Sequence, residues 1–426
     1  MSADFSTLPF RPADILLPQD CDLTLWSVVA CDQYTSQPEY WQRVEERVGR
    51  APSSLRLILT ESSLDGPHVE TDIMDVNNTM SRYLREGRFV QLEQSMIYVE
   101  RTLHNGRVRR GLVGMVDLEQ YDYEPGSRAP VRATEGVILS RIPPRVAVRK
   151  NAPIELPHTM PLCDDPGRTV IEPFTAQKDQ MEPLYDFPLM EEGGRVAGWR
   201  LGPAQLDQAA QAMSRLADPD SFRTRYHTDA PVMLFAVGDG NHSLATAKEC
   251  YERQKRLTSP DRWASLPARF ALCELVNLHD DSLEFEPIHR VVFHTDSQAL
   301  LTALIHHFPG ASRGATGRGQ VLHYVCGAGE GDITIPNPPF QLPAETLQLF
   351  LDEYLAGHAG RVDYIHGETV ARQFAARPGN IAFLLPTMDK AELFPTVIRD
   401  GALPRKTFSM GQPNDKRFYL EARKIR

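Results

Sequence analysis

The spacing of apolar positions changes across residues 231–257. PVMLFAV is a continuous apolar run, the pattern of a strand buried on both faces. Gly238-Asp239-Gly240 interrupts it, and SLATAKECYERQKRL then carries the alanine-rich pattern of a packed helix. The spacing predicts strand, tight turn and helix in that order. Asn241, His242 and Ser243 then stand where the helix begins.

The rest of the chain predicts many short elements. LWSVVA reads as a short apolar strand. A helix follows it, with Ser36 as N-cap and Glu39 three residues on, a capping box. DIMDVNNTMSRYLREG reads as a helix closed by Gly87. Two alternating runs flank Asn105-Gly106, a pair that two-residue hairpin turns favour. TVIEPFTAQ, ARFALCELVNLHD, LEFEPIHRVVF and the terminal KRFYLEARKIR read as strands, and PAQLDQAAQAMSRLADPD as a helix. After residue 295 helical and strand patterns alternate afresh. The fold expected is mixed α/β (α+β), with a first domain over residues 1–295 on a mixed sheet and an α/β lobe over residues 296–426.

Composition narrows the partners. A formal net charge of -10 disfavours sequence-independent binding of nucleic acid, which needs a basic face. No run approaches the roughly 18 apolar residues of a membrane span. The first residues lack the basic and apolar regions of a secretory signal. The 6 cysteines lack CxxC spacing, which disfavours a zinc site or a disulfide framework. A cytoplasmic protein without nucleic-acid or membrane partners is expected, and nothing in the sequence sets its oligomeric state.

Several stretches can carry chemistry. The first turn of a helix presents N–H groups without intrahelical acceptors, with partial positive charge, and so stabilises anions. Glycines let backbone approach a ligand. Gly238, Asp239, Gly240, Asn241, His242 and Ser243 are therefore candidates to hold phosphate. The same residues also suit a plain helix cap, because the turn has neither the length of a GxxxxGK-S/T loop nor three glycines. In Arg132-Ala133-Thr134-Glu135-Gly136, Glu135 can serve as a general base, or simply end a surface strand. His279-Asp280-Asp281 offers ligands for a divalent metal, or a polar loop. His289-Arg290 and Arg405-Lys406-Thr407 can meet an anion, or form a salt-bridged pair and a solvated loop. The polar and aromatic stretch from Cys31 to Trp41 can line a pocket, with Cys31 itself reading as a small packing residue. No GxSxG elbow supports a serine hydrolase.

Taken together, CDQYTSQPEYW, RRGLVG, RATEG, RIPPR, ELPH, DDP, GDGNHS, NLHDDSLEFEPIHR, AFLLP and RKTFSMG resemble the bacterial family called domain of unknown function 1015, over almost the whole chain. The typical branch of that family carries Asp-Gly-His-His-Arg at its strand–helix junction. Asp239, Gly240 and His242 match it, while Asn241 and Ser243 replace the first histidine and the arginine. Glu135 matches the family's early glutamate. Pro287, His289 and Arg290 match its Pro-x-His-Arg, and Lys406 and Thr407 its late Lys-Ser/Thr. The turn is in turn similar to one in the ParB/sulfiredoxin-like superfamily, where it holds nucleotide phosphates and where some members phosphorylate free serine with a glutamate base.

The resemblance implies a ParB/sulfiredoxin-like nucleotide-binding core and a kinase acting on a small hydroxyl compound such as free serine. ATP or ADP with Mg²⁺ would be the cofactors, with Asp239 or Asp280 meeting the metal. Glu135, His242 and Arg132 would form the catalytic set. Arg132, Arg290 and Lys406 would hold anionic groups, and Arg290, Arg405 or Lys406 would replace the missing arginine. Two alternatives stand beside it: a non-enzymatic nucleotide-binding regulator, and a metal-dependent phosphohydrolase centred on His279, Asp280 and Asp281.

Overall fold

The computed structural model describes residues 4–35, 37–64, 66–137, 141–404 and 406–426. Ser36, the expected N-cap, and Arg405, one expected anion-holding residue, lie outside the described residues. The chain forms two compact units. The first comprises Met1–Leu283 and Gly411–Arg426, and the second Glu284–Met410. The division thus falls earlier than the boundary expected at 295/296, and the end of the chain returns to the first unit instead of completing the lobe. The cause of the return is chemical, as the buried ion pairs below show.

The first unit is built on a 10-stranded mixed sheet. Its order is Glu182–Pro188, Arg195–Arg200, Ile97–Thr102, Val108–Asp117, Phe270–Asn277, Met160–Cys163, Phe235–Asp239, Val131–Ala133 and Tyr121–Asp122, with Phe10–Arg11 beside Val108–Asp117. Most pairs are antiparallel, but Val131–Ala133 runs parallel to both Phe235–Asp239 and Tyr121–Asp122, and Met160–Cys163 parallel to Phe270–Asn277. Ile97 and Val99 enter one core cluster and Tyr98 another, so the sheet is covered on both faces. Double coverage is why its central strands read as unbroken apolar runs. The helix Asn241–Arg256 turns Leu244, Ala247 and Tyr251 to the sheet, and Ala245 and Cys250 to Ile142 and Val146 of the helix Ile142–Arg149.

The hairpin at Asn105-Gly106 forms as expected, Ile97–Thr102 against Val108–Asp117, with Gly106 at φ 81°. LWSVVA does not form a strand. Asp22 accepts a hydrogen bond from the Thr24 N–H and so caps a one-turn helix, Leu23–Trp26. TVIEPFTAQ gives way to a 3₁₀ helix, Glu172–Gln180, which opens on Pro173. The terminal KRFYLEARKIR contributes only the short strand Arg423–Lys424 and two isolated bridges, at Phe418 and Ala422.

The second unit holds a 7-stranded antiparallel sheet, ordered Ser312–Arg313, Gly329–Ile335, Gln320–Cys326, Ile381–Leu384, Phe285–Phe293 and Arg361–His366, with Phe408–Met410 on Phe285–Phe293. Helices Ser297–His307 and Pro343–Gly357 pack on it through Leu300, Leu304, Leu347 and Leu351. Among the described residues, no helix of either unit is long and apolar enough to cross a membrane.

The end of the chain is held in the first unit by charge. The Arg423 guanidinium donates to Glu155 Oε1 at 2.8 Å, and Arg149 to Glu155 Oε2 at 2.5 Å. The Leu272 N–H donates to the same carboxylate at 2.9 Å. Burial alone would raise the Glu155 carboxyl, but the two guanidinium groups and the hydrogen bonds outweigh it and hold it below the usual carboxylate range. A depressed pKa of this kind stabilises the fold above the unfolded value of about 4.3, and the gain disappears as pH falls through the folded value. E155Q should therefore cost about 3 kcal/mol or more in urea unfolding at pH 7. The difference from the wild type should narrow steadily below about pH 4.

Candidate functional site

The site is assembled where the strand Phe235–Asp239 passes into the helix Asn241–Arg256. Gly240 makes the turn at φ 78°, in the left-handed region that disfavours a side chain. A Cβ there would also stand 2.8 Å from both Cα and Oγ1 of Thr159. Thr159 thus packs directly on the turn. Its N-cap, Gly240, has no side chain to cap it, and the first intrahelical bond runs from the Leu244 N–H to Gly240 O at 3.0 Å. The N–H groups of the first turn remain directed out of the helix end, with its partial positive charge.

Asp239 is half-buried and bound on both oxygens. Oδ1 accepts from the Gly240 N–H at 3.0 Å, and Oδ2 lies 3.2 Å from Lys416 Nζ. Lys416 is 6 % exposed, a buried ammonium brought in by the returning end of the chain. Sequence reasoning missed it. The signal was Lys416-Arg417 set between polar PND and apolar FYL, two cations entering a buried stretch.

Strand register decides which of the expected residues can reach this end of the sheet. Ala133 is level with Val237 in a parallel pair, so Glu135 leaves the sheet at the same end as Asp239. Met160 is level with Asp239, which places Thr159 there too. Asn277 is level with Cys163, and Cys163 with Phe235, at the opposite end. Asp280, expected beside Asp239 as a metal ligand, therefore stands across the sheet. Its carboxylate accepts from the Ser282 N–H and hydroxyl and from the Arg110 N–H.

Other expected residues prove structural. Asn241 is buried. Its Nδ2 donates to Val237 O at 3.0 Å and to Thr134 Oγ1 at 3.3 Å, and its Oδ1 accepts from the Thr134 N–H at 3.2 Å. The amide ties two strand ends together and is not directed at a ligand. Arg132 reaches back toward the start of its strand, donating to Ala129 O and Pro231 O. Burial lowers its pKa, and the guanidinium serves two loops at the wrong end of the strand to hold a phosphate at the turn. His242 and Ser243 lie in the first turn, both half-buried, and His242 O accepts from Thr246 Oγ1 at 2.7 Å.

The imidazole and carboxylates of His279, Asp280 and Asp281 diverge. His279 Nε2 meets Asp164 at 2.5 Å, while the exposed Asp281 pairs with Arg168. Among the described residues, no three His, Cys, Asp or Glu side chains converge as a metal site. Cys31 Sγ accepts from the Tyr419 hydroxyl at 3.2 Å. Burial, then the charge of Asp32, push its thiol up to about 12, which suits a packing role.

The remaining candidates belong to the second unit. Arg290 is fully buried, donating to Gln348 Oε1, Ile288 O and Lys406 O beneath the Tyr364 ring. It anchors its own unit and offers no solvent-facing edge to a phosphate. His289 Nδ1 accepts from the Leu385 N–H at 3.1 Å, and burial lowers its pKa. Thr407 Oγ1 donates to Pro404 O, and the exposed Lys406 stands over Tyr364.

A family model described as "Protein of unknown function (DUF1015)" matches residues 9–422. The chain belongs to this family. No curated protein matches it. Similar solved structures include a free serine kinase in complex with AMP, 11% identical, covering 73% of this chain and 91% of that one at a TM-score of 0.40. A C-terminally truncated SbnI from Staphylococcus aureus is 9% identical over 70% of this chain and 82% of its own, at a TM-score of 0.33. A conserved hypothetical protein from Pyrococcus furiosus is 13% identical over 49% and 84%, at 0.30.

In this DUF1015 protein, G240A tests the turn. The added methyl meets both an unfavourable φ and the Thr159 backbone, so urea unfolding should show a loss of about 1–3 kcal/mol. A neutral result would mean that the turn tolerates repositioning.

Proposed function

We propose that this protein is a nucleotide-dependent phosphotransferase acting on a small hydroxyl compound such as free serine. One observation carries the reading: the buried Lys416 ammonium, 3.2 Å from Asp239, at the start of a helix whose N-cap, Gly240, has no side chain. A cation beside the positive end of a helix reverses the usual preference. Asp239 offsets part of that charge, and one of its oxygens is already engaged by the Gly240 N–H. The balance left is positive, which favours an anion.

In this reading the first-turn backbone of Asn241, His242 and Ser243 and the Lys416 ammonium hold nucleotide phosphates. Lys416 supplies the charge that arginine supplies in the typical family branch, where this chain has Ser243. Glu135, leaving the sheet beside Asp239, accepts the proton of the acceptor hydroxyl. Asp239 orients Lys416 and is the carboxylate that a nucleotide-borne Mg²⁺ would meet. When bound, that ion neutralises charge between phosphate oxygens. The acceptor class follows the resemblance of the turn to that of serine-phosphorylating relatives.

Calorimetric titration with Mg-ATP and a turnover assay over a panel of small hydroxyl acceptors separate the roles. K416M should weaken nucleotide binding about 10- to 100-fold while circular dichroism stays native, as loss of a charge-assisted contact implies. E135Q should retain binding and lose about 10²–10⁴-fold in turnover. Unchanged nucleotide affinity in a folded K416M protein would sink the phosphate assignment. ATP binding without consumption across the whole panel would favour the non-enzymatic regulator.

A further inference from the structure

We propose that Asp32 and His158 form a subsite for a primary ammonium group beside the phosphate turn, so that the acceptor carries an ammonium as well as its hydroxyl. The ligand's role as acceptor rests on the kinase reading; its recognition by these two residues does not.

The returning segment brings both residues to the site. Val29 pairs with Phe418 in an antiparallel bridge. The Ala30 N–H donates to Arg417 O at 2.9 Å, and the Tyr419 N–H to Val28 O at 2.8 Å. This register sets Cys31 level with Lys416, whose ammonium meets Asp239. Asp32 follows directly, at the edge of the turn. On the other strand, Arg417 donates to Pro157 O at 2.7 Å, and Thr159 packs on Gly240. His158 lies between them, with its Nδ1 at 2.7 Å from the Tyr419 hydroxyl. Burial, then the charges of Cys31 and Asp32, raise the pKa of that hydroxyl, so Asp32 stands close to it too.

The hydrogen bonds make both groups acceptors. The Tyr419 hydroxyl has one proton to give and two lone pairs. It gives the proton to Cys31 Sγ and accepts from the Cys31 N–H, each at 3.2 Å. The second lone pair takes the His158 Nδ1–H. In the neutral imidazole Nε2 is then an acceptor. It has no hydrogen-bond partner among the described residues, although His158 is only 9 % exposed. Asp32 is partly buried, and Gln33 Nε2 donates to its Oδ1 at 2.9 Å. The Trp41 indole holds this loop through Gln33 O at 3.2 Å. Among the described residues no cation pairs with Asp32. The cations beside it are engaged elsewhere, Lys416 by Asp239 and Arg145 by Glu61.

A carboxylate and an imidazole nitrogen, both accepting, suit an ammonium, which brings three donors and the opposite charge. A second anionic group would be repelled by Asp32. A water or a hydroxyl would meet the acceptors and leave the carboxylate without a counter-charge.

The test is calorimetric titration of the full chain at pH 8 with L-serine and with glycerate, which has a hydroxyl in place of the ammonium. Serine should bind at least about 10-fold more tightly than glycerate. D32N and H158F, with native circular dichroism, should each weaken serine binding, D32N by about 10- to 100-fold. Where a variant does not fold, the wild-type ranking decides. Equal affinity for the two compounds, no binding of serine, or unchanged serine affinity in a folded D32N or H158F protein would overturn the subsite. Serine binding that depends on both residues, with no ATP consumed, would uphold the subsite and remove the kinase reading. ATP consumed equally with glycerate and serine would uphold the kinase reading and remove the subsite.

Discussion

The first unit depends on cations delivered by its own C-terminal segment. Asp239, Glu274 and Glu155 come from separate parts of the chain, and each meets a buried cation from that segment: Lys416, Arg417 and Arg423. Carboxylates in such surroundings stay ionised only when paired and hydrogen-bonded. Desolvation makes the pairs weak contributors to net stability, yet removing one partner leaves a stranded charge. Their consequence is specificity of placement. The segment must enter the first unit, in one register, for all three to be satisfied.

That requirement reaches the candidate site through backbone. The Glu274 N–H donates to Thr159 O at 3.1 Å, while its side chain holds Arg417. Thr159 packs on Gly240, and Lys416, the neighbour of Arg417, reaches Asp239. Turn, strand and returning segment therefore close on one another within two residues of chain on each side. Asn241 adds a clamp between the strand ends below Glu135 and Asp239. Groups positioned by strands and a buried clamp hold their geometry better than groups carried on open loops.

Much of this was legible in the sequence, for local reasons. The strand, turn and helix from Phe235 to Arg256 were marked by a change of period and by glycines. The hairpin was marked by Asn105-Gly106. LWSVVA misled because apolar content outweighed the cap at Asp22. Asp280 was grouped with Asp239 on chemistry alone, and composition does not reveal strand direction. The antiparallel pairing of Phe235–Asp239 with Met160–Cys163 sends the two carboxylates to opposite ends of the sheet. Lys416 was hidden by separation along the chain. No local pattern links residue 416 to residue 239; only a buried ion pair does.

The same pair answers why an arginine can be absent from the turn. An arginine in the first turn of the helix would carry its charge on the element that binds the anion, in a planar fork. Lysine is a compact point charge on a flexible stem, and here the half-buried Asp239 carboxylate fixes its position. Moving the charge from position 243 to position 416 makes the positive field at the turn conditional on the C-terminal segment being docked. A chain lacking that segment would keep the glycine turn and the helix end but lose the cation. In the proposed reading, phosphate affinity is then a property of the completed first unit and not of the turn motif. The short signature, read alone, understates what the site requires.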